Sequence, residues 1–291
     1  MSGKLRFTAC FNSTPEAIGA LHYSVLRSIL ELVLKPSRNW GFGWWSTLYG
    51  GSVEEVSVDY DLIFKSRVRL GCEMIFLNGA EALEHEYARV FAREAVNRGV
   101  DVGVATTCGD RVYREALEAA YVILNVTGEL VGVEGYDSRV RDLLGSRDWV
   151  EVHIHVNGGY EEAKRIVERV PLESNTPVHL RMYNSSYKDA YRARELLSSI
   201  GVINTYLYVN DEPVSDIQLT RCPRCREIIA VRRGIRVSKL NINRDKCPRC
   251  GCRVFMKKPV ENWFLKSKLT LELRVPIPWL YSGGGLRSTT Q

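Results

Sequence analysis

Four cysteines in two C-P-R-C motifs carry the most specific chemical signal in this chain. The pairs Cys222/Cys225 and Cys247/Cys250 lie within RCPRCREIIAVRRGIRVSKLNINRDKCPRCGCRVF, residues 221–255. A C-x-x-C turn points two sulfurs at one ion, and two such turns that face each other close a tetrahedral four-thiolate site, the usual structural zinc site. The β-branched residues between the pairs predict a short hairpin. We therefore predict a zinc ribbon with no open coordination position.

Two disulfides are the alternative interpretation of these cysteines. The N-terminus, MSGKLRFTACFNST, lacks the basic-then-apolar pattern of a secretion signal, so we expect a cytoplasmic protein. Paired C-x-x-C motifs in such a chain usually bind a metal. No run of 18 apolar residues is present, so we expect no membrane partner. The chain has only two glutamines, Gln218 and Gln291, which favours a thermophilic source.

Positive charge is concentrated in the predicted ribbon. Residues 221–258 contain thirteen Lys and Arg against Glu227 and Asp245, a net charge of +11, which leaves −5 for the rest of a chain whose total is +6. A basic module on an acidic body is a candidate surface for RNA. The alternative is that the basic side chains offset the −2 charge of four thiolates on one Zn²⁺.

Short apolar segments alternate with amphipathic ones before the ribbon. This alternation predicts an α/β fold with a parallel sheet covered by helices, as an open or partial (β/α) barrel or as a flat doubly wound sheet. The predicted strands are 5–10, 74–77, 101–106, 121–126, 149–156, 177–183 and 205–210, and the predicted helices are 83–98, 112–120, 136–145, 160–170 and 187–201.

The N-terminal part of the chain interrupts this alternation. Ser13 or Thr14, followed by Pro15, predicts the start of a helix of about 20 residues that ends at Lys35. Residues 39–70 are predicted to be an insertion: an aromatic loop (39–51) and then one or two hairpin strands (53–70). The loop's Trp40, Trp44 and Trp45 line a ligand mouth, stack on bases or form a small core of their own.

These boundaries predict three parts of the chain. Residues 1–218 form the α/β domain, with 39–70 as its insertion, and 219–258 form the zinc ribbon. Residues 259–291 form a C-terminal extension with a strand near 268–281 and a flexible tail.

Three segments carry a resemblance to a known family. They are MIFLNGAEALEHEYARVFAREAVNRGVDVGVATTCG (74–109), YVILNVTGE (121–129) and TPVHLRMYNSSYKDAYRARELLSSIGVINTYLYV (176–209). Their order and spacing, with the ribbon that follows, resemble the radical S-adenosylmethionine superfamily. Within it they resemble proteins related to pyruvate formate-lyase activating enzymes, in the AmmeMemoRadiSam-like branch with a C-terminal zinc ribbon. The resemblance implies a radical S-adenosylmethionine-type partial (β/α) barrel.

The family's cofactor motif is missing from this chain. The family holds a [4Fe–4S] cluster with C-x-x-x-C-x-x-C after its first strand, and the open iron binds S-adenosylmethionine. Here Cys10 stands alone at that place, followed by Thr14 and Pro15. Cys10 and Cys108 both follow predicted strands and could reach the carboxyl end of the sheet, whereas Cys72 precedes its strand and belongs at the opposite end.

The other family motifs are also altered. Asn78-Gly79-Ala80-Glu81 replaces the G-G-E that holds the methionine amino group, so the resemblance leaves Asn78, Gly79 and Glu81 as cofactor-binding candidates. Thr127 replaces the lysine of D-L-K-G, and Met182 falls where the arginine of P-W-H-x-x-R-F is expected. Glu81 is equally explained as a carboxylate at a helix start.

Three histidines and an arginine recur at a spacing of two residues on two strands. His153 and His155 lie on one predicted strand, and His179 and Arg181 on the next. Alternate residues of a strand share a face, so these side chains predict a polar pocket for an anion or a metal, or a hydrogen-bonded structural set.

These observations leave three hypotheses about function. The first is a non-catalytic or repurposed paralogue of the radical enzymes that binds a protein partner or a small ligand at the barrel mouth. The second is an RNA-associated protein that uses the basic ribbon. The third is a working radical enzyme with an atypical [4Fe–4S] site.

Overall fold

A nine-stranded, mostly parallel sheet forms the body of the protein. The structure is a computed structural model that describes residues 3–22, 28–36, 54–109, 113–146, 149–234, 236–254 and 256. The loop 39–51 and the extension 259–291, with its predicted strand, lie outside the described residues. Among the described helices, none has the length and apolarity needed to cross a membrane.

The central strands follow one another across the sheet in chain order. The sheet order is β11-β10-β9-β8-β7-β6-β5-β3-β2, with parallel pairing from β3 to β10 and antiparallel edge strands β2 and β11. The strands are β2 (Ala9–Ser13), β3 (Ile29–Val33), β5 (Met74–Asn78), β6 (Asp101–Thr106), β7 (Tyr121–Thr127), β8 (Val150–Val156), β9 (Val178–Met182), β10 (Thr205–Val209) and β11 (Glu212–Pro213). The predicted strands from residue 74 to residue 210 are therefore confirmed.

Helices cover one face of this sheet. They are α2 (Tyr60–Arg69), α3 (Glu86–Asn97), α4 (Tyr113–Glu118), α5 (Tyr136–Ser146), α6 (Gly159–Val167) and α7 (Tyr187–Ser199). The short helix α1 (Pro15–Ile18) lies at the other face, where Ile18 packs with Met74 and Phe76. The predicted helices after residue 83 are confirmed. On β8, Val150, Val152, Ile154 and Val156 pack in the main apolar core with residues of these helices. The residues between them face the other way, and that second face is also buried.

The predicted helix over residues 14–35 is wrong beyond its first turn. The helix begins at Pro15 as expected, but it ends at Ile18. Ile29–Val33 forms β3, which pairs in parallel with Met74–Asn78 and is buried along its whole length. A short apolar run fits a helix or a buried strand equally well in sequence, and here strand pairing decided the outcome.

The predicted hairpin over residues 53–70 is also corrected. Val56–Asp59 is a strand, β4, but it pairs with β1 (Lys4–Phe7) at the start of the chain. Residues 60–69 form α2, since Tyr60, Ile63 and Phe64 are buried at the spacing of a helix. The Phe64 ring stacks on Phe91 of α3, with centroids 5.3 Å apart. The predicted strand 5–10 is accordingly divided between β1 and β2, and the first parallel strand of the sheet is β3.

Candidate metal centre and buried polar network

The predicted ribbon is a three-stranded antiparallel sheet. Its strands are β12 (Ile217–Arg221), β13 (Ile228–Arg233) and β14 (Arg236–Leu240), with β13 in the middle. The predicted hairpin between the two cysteine pairs is therefore confirmed.

The two C-P-R-C turns have the same local geometry. The Arg226 N–H donates to the Cys222 carbonyl at 3.0 Å, and the Gly251 N–H donates to the Cys247 carbonyl at 2.9 Å. Both donors have a positive φ, 60° for Arg226 and 68° for Gly251. Glycine adopts this left-handed conformation without steric cost, which explains Gly251.

The four sulfurs of these turns form one compact group. The Sγ atoms of Cys222 and Cys250 are 3.6 Å apart, as are those of Cys225 and Cys247, and all four lie within 4.8 Å of one another. A tetrahedral zinc site with Zn–S bonds of about 2.3 Å has S–S edges of about 3.8 Å. The four cysteines could therefore bind one metal ion. All the cysteines are free thiols, which argues against the disulfide alternative.

The surroundings of Cys247 favour its thiolate. Burial opposes ionisation of this thiol, but the backbone N–H groups of Cys250 and Arg249 hydrogen bond to its sulfur, and its pKa is lowered to about 7. Thiolates are the form that binds metal.

A fifth cysteine lies beside this group. The Cys252 Sγ is 4.0 Å from the Cys222 Sγ, and its thiol donates to the Arg253 carbonyl at 3.2 Å. The sequence interpretation omitted Cys252, although its position in C-P-R-C-G-C was a visible signal.

A buried arginine joins the ribbon to the α/β domain. Arg232 on β13 has no solvent exposure. Its guanidinium donates to Thr220 Oγ1 and to the Leu21 carbonyl, both at 2.7 Å. At the adjoining edge, the Asn204 side chain binds the backbone N–H and carbonyl of Arg221 at 2.7 and 3.0 Å. The ribbon is therefore packed on the α/β domain through polar contacts.

Glu151 is the acceptor at the centre of the buried polar face. It is fully buried on β8 and accepts hydrogen bonds from the Leu21 N–H at 3.1 Å, the His22 N–H at 2.6 Å and His179 Nε2 at 2.7 Å. Burial raises its pKa, and interactions with His22, including the hydrogen bond from its backbone N–H, oppose the rise.

Two tyrosines extend this network. The Tyr206 hydroxyl lies 2.7 Å from both His22 Nε2 and Thr220 Oγ1, which links Glu151 to Arg232. The Tyr208 hydroxyl accepts from Gln218 Nε2 at 3.1 Å and lies 3.4 Å from His179 Nδ1. Tyr206, Tyr208 and Glu151 were missed in the sequence, although they share the spacing of two residues that identified the histidines.

The histidines of this face are held neutral. Burial, the largest effect, lowers the pKa of His22 to about 4, and it lowers those of His153, His155 and His179 well below the usual value. His153 Nε2 is 3.1 Å from the Gly19 carbonyl, so this nitrogen carries the proton. The three histidines on β8 and β9 are therefore all hydrogen-bonded within the protein. Within the described part of the chain, only the four ribbon cysteines form a group that could hold a metal.

At the carboxyl ends of the strands, the network reaches solvent. Arg181 Nη1 lies 3.1 Å from Asp211 Oδ1, and the Tyr183 hydroxyl donates to the same oxygen at 2.9 Å. His155 Nδ1 is 3.3 Å from the Tyr183 hydroxyl, and its Nε2 is 2.9 Å from Asn125 Oδ1.

Glu81 is saturated by hydrogen bonds from its own fold. Its Oε2 accepts from Thr106 Oγ1 at 2.7 Å, the Thr107 N–H at 2.6 Å and Thr107 Oγ1 at 2.8 Å, and its Oε1 accepts from the Leu83 N–H at 3.2 Å. Burial raises its pKa to about 7, although these donors oppose the rise. Glu81 thus ties the loop after β5 to the end of β6.

The other candidates beside Glu81 also make internal contacts. Asn78 Nδ2 donates to Glu31 Oε1 at 2.6 Å, and Asn78 Oδ1 accepts from the Gly79 N–H at 2.8 Å. Gly79 has φ +109°, and a Cβ there would lie 2.5 Å from the Leu34 carbonyl oxygen. Thr127 and Met182, which replace the family's lysine and arginine, are buried at the last residues of β7 and β9.

The remaining cysteines, Cys10, Cys72 and Cys108, are all buried in the main core. Cys10 lies within β2, opposite Leu32, rather than after a strand as expected. Cys72 lies before β5, with its sulfur 3.4 Å from Ser28 Oγ, at the amino end as predicted. Cys108 follows β6 at the carboxyl end, with φ +59°. Burial raises the pKa of Cys108 to about 12 and raises those of Cys10 and Cys72.

Most basic side chains of the ribbon are exposed. Two of them pair with acids: Arg249 with Glu227 at 3.5 Å and Arg253 with Asp245 at 3.7 Å. The exposed set is Arg224, Arg226, Arg233, Lys239, Arg244, Lys246, Arg249 and Arg253.

Comparison with protein-family models finds no match to this chain, and comparison with curated proteins also finds none. What the structure itself defines is a mixed α/β protein with a large, mostly parallel sheet and a cysteine cluster near its C-terminus that could bind a metal.

Proposed function

We propose that this chain is a zinc-ribbon protein whose α/β domain is a radical S-adenosylmethionine-like partial barrel without the iron–sulfur motif. In this proposal it is a non-catalytic or repurposed paralogue that binds a partner protein or a small ligand at the carboxyl ends of its strands, in the cytoplasm. The supporting observation is the distribution of thiols. Four converge in the ribbon, while Cys10, Cys72 and Cys108, which are buried in the main core, form no metal-holding group among the described residues.

Two further features support the proposal. The parallel strands follow chain order, which is the order of a (β/α) barrel. Glu81, at the position of the family's methionine-binding glutamate, already accepts four hydrogen bonds from protein groups. A carboxylate so saturated has little capacity left for a ligand amino group.

Metal analysis and reconstitution test the two halves of this proposal. The purified protein should contain about one zinc per chain, and the Cys222→Ser/Cys225→Ser variant should contain none. Cys72→Ser is the matched control, since it removes a thiol outside the ribbon and should leave the zinc content unchanged.

Anaerobic incubation with iron and sulfide should give no absorbing cluster in the wild-type protein. A cluster that cleaves S-adenosylmethionine would overturn the non-catalytic proposal and support the atypical radical enzyme instead. Zinc content at the wild-type level in the double-serine variant would overturn the ribbon site.

RNA association is the second candidate function. The observation that favours it is the exposure of eight basic side chains in a module with only two acids. Backbone phosphates bind such a surface with strong salt dependence. Retention of single-stranded RNA at low salt, reduced by Arg224→Gln/Arg226→Gln but not by Arg194→Gln on α7, would support it. No retention at low salt would remove it.

A further inference from the structure

The carboxyl end of β9 presents several polar groups to one point near the surface. The Arg181 guanidinium and the Tyr183 hydroxyl both meet the Asp211 carboxylate, at 3.1 and 2.9 Å. His155 lies behind Tyr183, with its Nδ1 3.3 Å from the phenol oxygen. These groups come from two neighbouring strands, β8 and β9, and the acid comes from the turn that follows β10.

The proton count around Tyr183 shows that Asp211 is one of two competing acceptors. The Asn125 amide donates to the Ala80 carbonyl, so its Oδ1 accepts the proton from His155 Nε2. His155 is neutral, so its Nδ1 is an acceptor. The Tyr183 hydroxyl has a single proton, which it can donate either to His155 Nδ1 or to the Asp211 carboxylate. If another anion replaced Asp211, the hydroxyl could donate the same proton to that anion.

The charge balance of this region depends on Asp211. Arg181 stacks over the Tyr208 ring, with its guanidinium carbon 4.5 Å from the ring centroid. The deeper carboxylate, Glu151, is bound to His179 and to the backbone of Leu21 and His22. Among the described residues, Asp211 is thus the acid in contact with Arg181, and its removal leaves a positive charge that an oxyanion can neutralise.

The position of Asp211 makes it replaceable. It belongs to a two-residue turn, between the paired residues Val209 and Glu212, that leads into the short edge strand β11. Its side chain is 37% exposed, against 17% for Arg181, so solutes can reach the pair. Ligands of open parallel sheets bind at the carboxyl ends of the strands, where this pair lies.

We infer that Arg181 and Tyr183 form a binding site for a small oxyanion, a carboxylate or a phosphate, that Asp211 occupies as an internal substitute for the ligand. The inference rests on the proposed ligand-binding function at the carboxyl ends of the strands, and it names the ligand class. The ligand's oxygens would take the two contacts that the Asp211 carboxylate makes. Asp211 then lowers the apparent affinity for the ligand, because a ligand must displace it before binding.

Removal of the internal carboxylate tests this site. Glycine suits the left-handed φ of 65° at Asp211, so Asp211→Gly opens the site without straining the turn. Inorganic phosphate and sodium acetate are titrated separately by calorimetry at constant ionic strength. Because Asp211 competes for Arg181 only as a partly exposed ion pair, the variant should bind one of these anions about two- to fivefold more tightly than the wild-type protein.

Two further variants control this measurement. Asp211→Gly/Arg181→Gln should lose the added affinity, and Glu212→Gln, a change in the neighbouring carboxylate, should behave as the wild-type protein. Asp211→Asn removes the charge and keeps the side chain, so it gives the same comparison if the glycine variant does not fold. Preference for phosphate or for acetate distinguishes the two ligand types.

Equal affinities in the wild-type and Asp211 variants, or no binding in either, would overturn the inference. Neither result affects the zinc content or the reconstitution with iron and sulfide. Failure of the anion site and failure of the proposed zinc-ribbon function are therefore separate outcomes.

Discussion

Arg232→Met should destabilise the protein far more than the same change at the next residue. The substitution removes the two hydrogen bonds of 2.7 Å to Thr220 and Leu21 and keeps an apolar side chain of similar length. It also removes the positive charge that favours ionised Glu151. A hydrogen bond made by a charged group contributes about 1.5–3 kcal/mol, and Arg232 makes two. Since methionine restores some packing and removes a buried charge, we expect a loss of about 3 kcal/mol.

Arg233→Met is the matched control, because Arg233 is exposed on the same strand. Exposed substitutions usually change stability by less than about 0.5 kcal/mol. Urea unfolding of both zinc-loaded variants measures the difference, and unchanged m-values would show that the unfolded state is comparable. The reasoning is refuted if the two variants unfold at the same urea concentration, since Arg232 would then contribute nothing to the attachment of the ribbon.

Three further predictions concern the sheet and its loops. The histidines should make stability fall as the pH drops from about 6.5 to about 4, because in this range the unfolded state protonates His22 and the folded state does not. The slope is up to about 1.4 kcal/mol per pH unit for each such histidine, and flat stability of the Glu81→Gln variant, which lacks the opposing effect of Glu81, in a urea titration would contradict it. Glu81, with its pKa raised to about 7, acts in the opposite sense: the stability it contributes is lost as the pH rises from about 4.5 to about 7. Glu81→Gln should remove this pH dependence, and melting temperatures measured over a pH series would show its loss. Gly79→Ala should lower the free energy of unfolding by at least about 1–3 kcal/mol, because of backbone strain and a clash with Leu34. Gly99→Ala should lower it less, since nothing lies within 4 Å of the added Cβ, and similar melting temperatures of the two variants would contradict this.

The alternation of strands and helices after residue 74 was predictable because each segment has its own period and its own turn residues. The strand Ile29–Val33 was not, because its strand character depends on pairing with Met74–Asn78. Local sequence around residues 14–35 favours a helix, and contacts distant in sequence override that preference.

The candidate sites show the same division. The four ribbon cysteines were identified by spacing alone, since two short C-x-x-C motifs supply all the ligands of a metal site of this type. The shared face of His153 and His179 also followed from period two. The contributions of Leu21 and Arg232 could not be predicted, because Leu21 lies 130 residues from Glu151 and 211 residues from Arg232 in the sequence. No local sequence pattern indicates such contacts.

The long-range hydrogen bonds to residues 19–22 have a consequence for biosynthesis. His153 binds the Gly19 carbonyl across 134 positions of sequence, and Arg232 binds the Leu21 carbonyl across 211. When the first two hundred residues have left the ribosome, Arg232, which binds the Leu21 carbonyl, has therefore not yet been made. The Gly19 carbonyl and the N–H groups of Leu21 and His22 can bind His153 and Glu151 once about half of the polypeptide has emerged, whereas the Leu21 carbonyl stays hydrated until nearly four-fifths has. The last of these contacts therefore forms late in synthesis, when the ribbon folds against the sheet.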